Sequence, residues 1–210
     1  MSGAGVQLIR VDLGDQSITL EVPADPDSLV RAAVARGEPE PEHWAHLWPS
    51  ARLLARHILS GSLVGPGVRV LEIGCGLGLV GIAAAKRGAD AILTDISETA
   101  LLAAQRNASL NAVAVRTQRL DWSEGAFVST GDPAWKPDLI LGADVLYHAD
   151  APEAVGRLIC NLGCPALLAD PLRAHAQDIE SRLRACGLSV WSSPAESGRI
   201  LMLQRQESRA

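Results

Sequence analysis

The sequence has no surplus of positive charge and no long apolar run. Its 210 residues carry 19 Lys and Arg against 24 Asp and Glu, a formal charge of −5. Because phosphate backbones are bound by basic surfaces, this balance argues against a general nucleic-acid-binding protein. No stretch reaches the roughly 18 apolar residues of a transmembrane helix. The N-terminus has no signal-peptide pattern, so we predict a cytoplasmic protein with no membrane partner.

Paired cysteines and metal-ligand spacing are also missing. The four cysteines, Cys75, Cys160, Cys164 and Cys186, form no CxxC pair. Free thiols in a reducing compartment are therefore expected. The five histidines are scattered, and no metal site is predicted from them. A chain of this length can bury enough apolar surface to fold without either kind of cross-link.

The composition favours one folded unit with a short N-terminal extension. Hydrophobic residues make up 48% of the chain, a fraction that excludes wholesale disorder. Residues 6–13 and 18–22 alternate apolar and polar side chains and predict a β-hairpin. Residues 23–42 contain four prolines and five acidic residues, which is typical of an exposed connector. We therefore separate an extension over residues 1–47 from a domain over residues 48–210.

From residue 68 onward, predicted strands and helices alternate. Alternation of this kind predicts a parallel sheet with helices on both faces. The last two of the seven predicted strands are joined by a short turn at 193–198, so the final strand should be antiparallel. The fold class is thus α/β: a Rossmann-like, doubly wound, seven-stranded sheet that is mostly parallel. Ser97 is expected to cap a helix that runs through Leu110. Asp150 and Glu153 have the spacing of a capping box for the helix that ends near Leu162.

The strongest local motif is the glycine-rich segment 70–81, which runs from a strand directly into a helix. Glycines let a ligand approach the backbone closely, and doubly wound sheets bind ligands at this edge. Gly76, Gly78 and Gly81 match the dinucleotide pattern GxGxxG, and Asp95 lies 19 residues beyond Gly76. An NAD-binding oxidoreductase is therefore one interpretation of the sequence.

Three features count against the dinucleotide interpretation. The strand meets its first glycine at Gly74, two residues before the pattern begins. Glu72 lies inside the strand, where a half-buried carboxylate needs a function. Finally, about 115 residues follow Asp95, too few for a separate substrate domain of typical size.

The segment from Glu72 to Gly78 resembles instead the first motif of the seven-β-strand, S-adenosylmethionine-dependent methyltransferases. In that family the glycine loop wraps the methionine part of the cofactor. An acidic residue after the second strand, matched by Asp95, holds the ribose. Residues after the third strand, matched by Asp121 and Trp122, flank the adenine. The antiparallel final strand is also typical of that family.

Three further segments extend the resemblance to the protein-lysine methyltransferase group called methyltransferase family 16, which has nicotinamide N-methyltransferase-like bacterial members. They are HLWPSARLLA at 46–55, LDW at 120–122 and GADVLY at 142–147. The resemblance covers roughly residues 44–206. It implies S-adenosyl-L-methionine as cofactor and S-adenosyl-L-homocysteine as product. The cofactor pocket that it implies is formed by Trp48, Glu72, Gly74, Cys75, Gly76, Gly78, Asp95, Asp121, Trp122 and Ala143.

The resemblance also implies the acceptor side of the site. Asp144 and Tyr147 match the D-x-x-Y motif of the group, which lies where methyl donor and acceptor meet. We expect Asp144 to orient the acceptor amine and Tyr147 to serve as a wall or hydrogen-bond partner. His148 follows Tyr147, and we expect an exposed loop histidine there.

The identity of the acceptor stays open between two classes. A lysine side chain of a protein substrate is favoured by the resemblance. A small-molecule, nicotinamide-like amine in the same fold is the alternative, with residues 1–47 as the available lid. Nucleic-acid methylation is disfavoured by the charge and by the absence of an N/D-P-P-Y/F motif. We favour a monomer, although the sequence does not determine the oligomeric state.

Overall fold

The computed structural model describes residues 5–37, 43–122, 134–172 and 176–206. The strands in these segments are β1 (Val6–Asp12), β2 (Ser17–Pro23), β3 (Arg69–Ile73), β4 (Asp90–Asp95), β5 (Arg116–Arg119), β6 (Leu139–Ala143), β7 (Ala166–Asp170), β8 (Leu188–Ala195) and β9 (Gly198–Arg205). The helices are α1 (Pro26–Ala35), α2 (Pro49–Ser60), α3 (Leu79–Lys86), α4 (Glu98–Leu110), α5 (Ala151–Leu162) and α6 (Ala176–Ala185), with a 3₁₀ turn at His43–Ala45.

Seven strands form one sheet in the order β5-β4-β3-β6-β7-β9-β8. β3 pairs in parallel with both β4 and β6, whereas β9 is antiparallel to β7 and β8. The predicted seven-stranded fold with an antiparallel last strand is confirmed. The turn between β8 and β9 is tighter than predicted, since Ala195 already pairs with Gly198.

The sheet is covered on both faces, and alternate residues of β3 serve the two faces. Val70 packs with the hairpin β1–β2 and with helices α2 and α3. Leu71 and Ile73 point the other way, into the cluster that includes apolar residues of α5 and α6. This arrangement explains why β3 is almost continuously apolar, as strands buried on both faces are. Glu72 is the one acidic residue of this strand.

The predicted hairpin is present and packs on α4. Val11, Ile18 and Leu20 are fully buried in the same cluster as residues of α2 and α3. The side chain of Asn107, on α4, accepts a hydrogen bond from the Glu21 N–H at 2.7 Å and donates to the Glu21 carbonyl at 3.2 Å. The hairpin therefore shares the core of the sheet.

Of two predicted helix caps, one is confirmed and the other is wrong, although both helices begin where predicted. Ser97 caps α4, accepting a hydrogen bond from the Ala100 N–H at 3.3 Å. The capping box at Asp150 and Glu153 does not form, because Asp150 has helical backbone angles and makes no side-chain capping bond. Glu153 instead accepts a hydrogen bond from Arg182 Nε, on α6, at 2.6 Å. An ion pair between two helices has replaced a local cap.

The sheet topology fixes where a ligand would bind. The chain builds outward from β3 through β4 to β5, then returns to β6 on the other side of β3. The strand order therefore reverses between β3 and β6, and the crevice at their carboxyl ends is the binding position in doubly wound folds. No helix in the described segments is long and apolar enough to cross a membrane.

Candidate active site

A cavity of about 290 Å³ lies at the carboxyl ends of β3, β4 and β6. Its walls come from these strand ends and from the segment that runs from the 3₁₀ turn into α2. Asp144 and Tyr147 line it together with eight of the ten predicted cofactor residues, namely Trp48, Glu72, Gly74, Cys75, Gly76, Asp95, Trp122 and Ala143. The structure thus brings together residues separated by up to about a hundred positions in the chain.

Two predicted cofactor residues lie elsewhere. Gly78 begins α3 with a φ of +82°, and a Cβ there would lie 2.9 Å from the Ala104 Cβ, so this glycine allows α3 and α4 to pack closely. Asp121 lines a second cavity of about 210 Å³, which shares Ile96, Trp122 and Tyr147 with the first. The second cavity is therefore a side chamber of the first.

The glycines of the loop lie very close to neighbouring residues of the cavity wall. Gly74 and Gly76 have φ angles of +61° and +49°, which non-glycine residues rarely adopt. A Cβ on Gly74 would lie 2.9 Å from Val145 Cγ1 and 3.3 Å from the Trp122 ring. A Cβ on Gly76 would lie 3.2 Å from the carbonyl oxygen of Trp44. Neither position has room for a side chain.

Asp95 fixes the loop from the neighbouring strand. Its Oδ2 accepts a hydrogen bond from the Gly76 N–H at 2.9 Å, and its Oδ1 accepts one from the Ser97 N–H at 3.0 Å. The carboxylate is buried, with 7% of the residue exposed, and it lines the cavity. A carboxylate can accept about four hydrogen bonds in all, so a ligand hydroxyl is compatible with these two.

Glu72 is a buried carboxyl beneath the loop. Its Oε2 accepts a hydrogen bond from the Gly81 N–H at 2.9 Å. Burial raises its pKa to about 8, against the lowering effect of the Gly81 bond and with a further increase from nearby Asp95. Glu72 is therefore largely protonated at neutral pH. A cation that entered the cavity would favour its ionised form.

Asp144 has an unusual backbone conformation at the end of β6. Its φ of +58° belongs to the left-handed region, and its N–H donates to the Ala169 carbonyl at 2.9 Å. Non-glycine residues in this region cluster at functional sites, where surrounding structure holds them. The Asp144 residue is 7% exposed, whereas Tyr147, three positions later, is 41% exposed. The D-x-x-Y motif therefore runs from the cavity interior to its mouth.

Sequence reasoning assigned no role to three His and Trp residues of the cavity that precede Trp48. His43, Trp44 and His46 all line the cavity. Nε2 of His46 lies 3.0 Å from Oδ1 of Asp27, which ties the segment to α1. The available signal was composition: the chain is only 3% aromatic, yet two of its five tryptophans and two of its five histidines fall within six consecutive positions.

Reactive thiols and metal clusters do not contribute to the site. All four cysteines are free thiols. Cys75 lines the cavity, but burial and the nearby Asp95 and Glu72 raise its pKa well above the usual value, so it stays protonated and is not a nucleophile. Within the described ranges, no group of three or more His, Cys, Asp or Glu side chains is arranged to hold a metal ion.

The residues present fit S-adenosylmethionine. Three carboxyl groups, of Glu72, Asp95 and Asp144, surround the cavity, which suits a ligand that carries an ammonium and a sulfonium. The two glycines of the loop let the chain pass close to Trp44, Trp122 and Val145, and the loop itself lines the cavity. The Trp122 ring offers an apolar face, and the side chamber beside it adds space for a base.

Comparisons with known proteins agree with this fit. The electron transfer flavoprotein beta subunit lysine methyltransferase of Danio rerio is 32% identical over 145 residues, which are 67% of this chain and 54% of the relative. EEF1A lysine methyltransferase 3 of Mus musculus is 33% identical over 137 residues, 62% of this chain and 57% of the relative. The chain spans about half the length of these curated relatives.

Solved structures support the same fold. The ribosomal protein L11 methylase from Lactobacillus delbrueckii subsp. bulgaricus superposes with a TM-score of 0.57 at 24% identity, covering 75% of this chain and 79% of that one. The family model described as "Lysine methyltransferase" matches residues 39–165, which include the glycine loop, the D-x-x-Y motif and the segment at 43–48. The chain belongs to the lysine methyltransferase family, whose members use S-adenosylmethionine.

Proposed function

We propose that this protein transfers a methyl group from S-adenosylmethionine to a lysine side chain of a protein substrate. The observation that carries the proposal is the placement of Asp144 and Tyr147 at one cavity with the glycine loop. The first is buried beside the proposed cofactor site and the second is exposed at its mouth. A side chain that enters past Tyr147 would meet the Asp144 carboxylate.

In this proposal the glycine loop, Asp95 and Trp122 hold the cofactor, which supplies an electrophilic methyl group on a sulfonium. The protein has two tasks beyond binding. It must position the acceptor nitrogen in line with that methyl group, and it must favour the neutral amine. Deprotonating a lysine of pKa near 10.4 at pH 7 costs about 4.6 kcal/mol in water. Desolvation of the amine in the cavity lowers this cost.

Asp144 is the proposed orienting group. Its carboxylate can only accept hydrogen bonds when ionised, so it directs the N–H groups of the amine toward itself and leaves the lone pair facing the methyl group. The left-handed backbone holds this side chain in one place without rearrangement. The proton that the lysine ammonium loses before transfer leaves to solvent through the open mouth, and the methylated amine departs as an ammonium, with the sulfonium converted to a thioether.

A protein acceptor fits the shape of the site better than a metabolite. The cavity opens beside an exposed tyrosine, so a side chain on a larger surface can reach it from outside. A net charge of −5 favours a cationic partner and disfavours nucleic acid. The four free thiols are consistent with a cytoplasmic location, and we propose that the protein acts as a monomer.

The test is transfer of labelled methyl from S-adenosylmethionine into a lysate. Protein and small-molecule fractions are separated, and labelled protein is hydrolysed to its amino acids. We expect label in a discrete protein band, recovered as methyl-lysine and suppressed by excess S-adenosylhomocysteine. A reaction without the enzyme gives the background of the lysate.

Other outcomes would redirect the assignment. Label recovered as methyl-arginine would keep a protein acceptor but change its residue. Label confined to the small-molecule fraction would support the nicotinamide-like amine alternative. If the protein binds S-adenosylhomocysteine yet labels neither fraction of any lysate that contains its cellular partners, the lysine proposal fails.

A further inference from the structure

The mouth of the cavity is bordered by a row of aromatic rings. Tyr147 lies on one side, with the ring of His148 at 4.1 Å between centroids. His43, in the 3₁₀ turn, lies on the other side, and its ring centroid is 6.2 Å from that of Tyr147 at an interplanar angle of 76°. The Trp48 ring follows at 6.4 Å from His43. Four rings from two distant parts of the chain thus border one opening.

The position of His43 does not depend on its own side chain. The indole Nε1–H of Trp48 donates to the main-chain oxygen of His43 at 3.1 Å. The adjoining Trp44 backbone lies against Gly76 of the glycine loop. Both contacts use main-chain atoms, so the 3₁₀ turn can keep its place when the imidazole is replaced.

The chemistry of these rings suits a cationic aliphatic chain. The faces of Tyr and Trp attract ammonium groups, and all four rings can pack against methylene groups. The described residues that line the cavity include no Lys or Arg that would repel such a cation. Asp144 lies inside the same cavity, past the rings.

We propose that His43 and Tyr147 form the two walls of the passage by which the acceptor amine enters, and that His43 sets the selectivity for a slender lysine side chain. This inference rests on the proposed function. His43 contacts the acceptor, whereas the cofactor is held by the glycine loop and its neighbours. Replacing His43 therefore affects the acceptor and leaves the cofactor unaffected.

The test compares His43→Ala and His43→Phe with the wild-type enzyme, using the protein band that the wild type labels as acceptor. His57→Ala, at an exposed position of α2, is the matched control. S-adenosylhomocysteine affinity is measured by calorimetry, and the KM for the acceptor is measured from methyl transfer. Thermal melting verifies that each variant is folded.

For His43→Ala we expect the acceptor KM to rise about fivefold, because one wall of the passage is lost, with S-adenosylhomocysteine affinity within about twofold of wild type. His43→Phe keeps an aromatic wall and should restore most of the loss, and His57→Ala should match the wild type. An unchanged KM in His43→Ala, or an equal loss of cofactor affinity, overturns the inference. If the wild type methylates no lysine, the proposed function fails and the passage fails with it.

Discussion

The carboxylate of Asp95 accepts a hydrogen bond from the backbone N–H of Gly76 at 2.9 Å, so the residue expected to hold the ribose also holds the glycine loop in place. The second oxygen of the same carboxylate is engaged by the Ser97 N–H at 3.0 Å. Both oxygens face donors, which makes the position intolerant of an amide.

We therefore expect Asp95→Asn to lower the stability of the fold and to weaken cofactor binding. The amide offers one acceptor oxygen, and its NH₂ group would face a backbone N–H. We expect a loss of stability of about 1–3 kcal/mol and S-adenosylhomocysteine binding weakened by at least about tenfold. Calorimetry and thermal melting measure the two effects. Asp12→Asn, on the exposed edge of β1, is the control, and equal behaviour of the two variants would contradict the dual role.

In the absence of ligand, the stability advantage of Glu72→Gln over the wild type should grow as pH rises. The folded-state pKa of about 8 exceeds the ordinary 4.5, so between these values the folded state holds a proton that the unfolded chain has released. Wild-type stability therefore falls as pH rises through this window, by a total on the order of a few kcal/mol. A Gln side chain can still accept the hydrogen bond from the Gly81 N–H. Because it does not titrate, the variant does not lose stability in this pH window.

Thermal melting of both proteins from pH 5 to pH 9 measures the effect. The difference in melting temperature should grow up to about pH 8 and then level off. Glu98→Gln, on the exposed side of α4, corrects for the general effect of removing one negative charge. A difference that is constant across the range would show that Glu72 is ionised in the folded protein throughout.

Gly74→Ala should reduce the stability of the fold by more than its left-handed backbone conformation alone explains. The matched control is Gly163→Ala, because Gly163 has a similar φ of +67° and no atom within 4 Å of an added Cβ. Both variants bear the backbone cost of about 1–2 kcal/mol. Only Gly74→Ala forces a methyl group against Val145 and Trp122. We expect it to melt at a lower temperature than the control and to bind S-adenosylhomocysteine at least about tenfold more weakly.

Asp144→Asn should separate catalysis from binding. Asn tolerates the left-handed conformation, so the fold should be retained. The amide lacks the charge that orients the amine, and methyl transfer should fall by about two orders of magnitude. S-adenosylhomocysteine affinity, measured by calorimetry, should stay within about threefold. Turnover equal to the wild type would remove Asp144 from the mechanism, while Asp144→Ala should lose stability in addition.

The parts of this protein that the sequence predicts are those with local signals. β6 at Leu139–Ala143 is a short apolar run after a proline, and its predicted bounds match the structure. The glycine loop was predicted as a ligand site because strand, glycines and helix are contiguous. Ser97 was predicted as a cap for the same reason: donor and acceptor lie three residues apart.

The parts that the sequence does not predict depend on contacts between distant residues. Glu153 has the right spacing for a local cap, yet Arg182, 29 residues away, binds it instead. Gly78 belongs to the glycine motif, and the pattern assigns it to the cofactor. In the structure it packs against Ala104 of α4, so this glycine serves the contact between two helices. The cluster of His and Trp residues that begins at His43 does not indicate their partners, and only the fold places His43 opposite Tyr147.

The amide of Asn107 joins three parts of the chain. Besides its two bonds to Glu21, its Nδ2 donates to the Leu77 carbonyl, in the glycine loop, at 2.9 Å. The hairpin and the loop therefore share one fully buried side chain and should unfold as a single cooperative unit. A chain truncated to begin at residue 48 would remove both bonds between that amide and Glu21 and leave its Oδ1 without this partner. The predicted boundary between residues 47 and 48 separates two parts of the sequence, but contacts in the core cross it, so it is unsuitable as a truncation point.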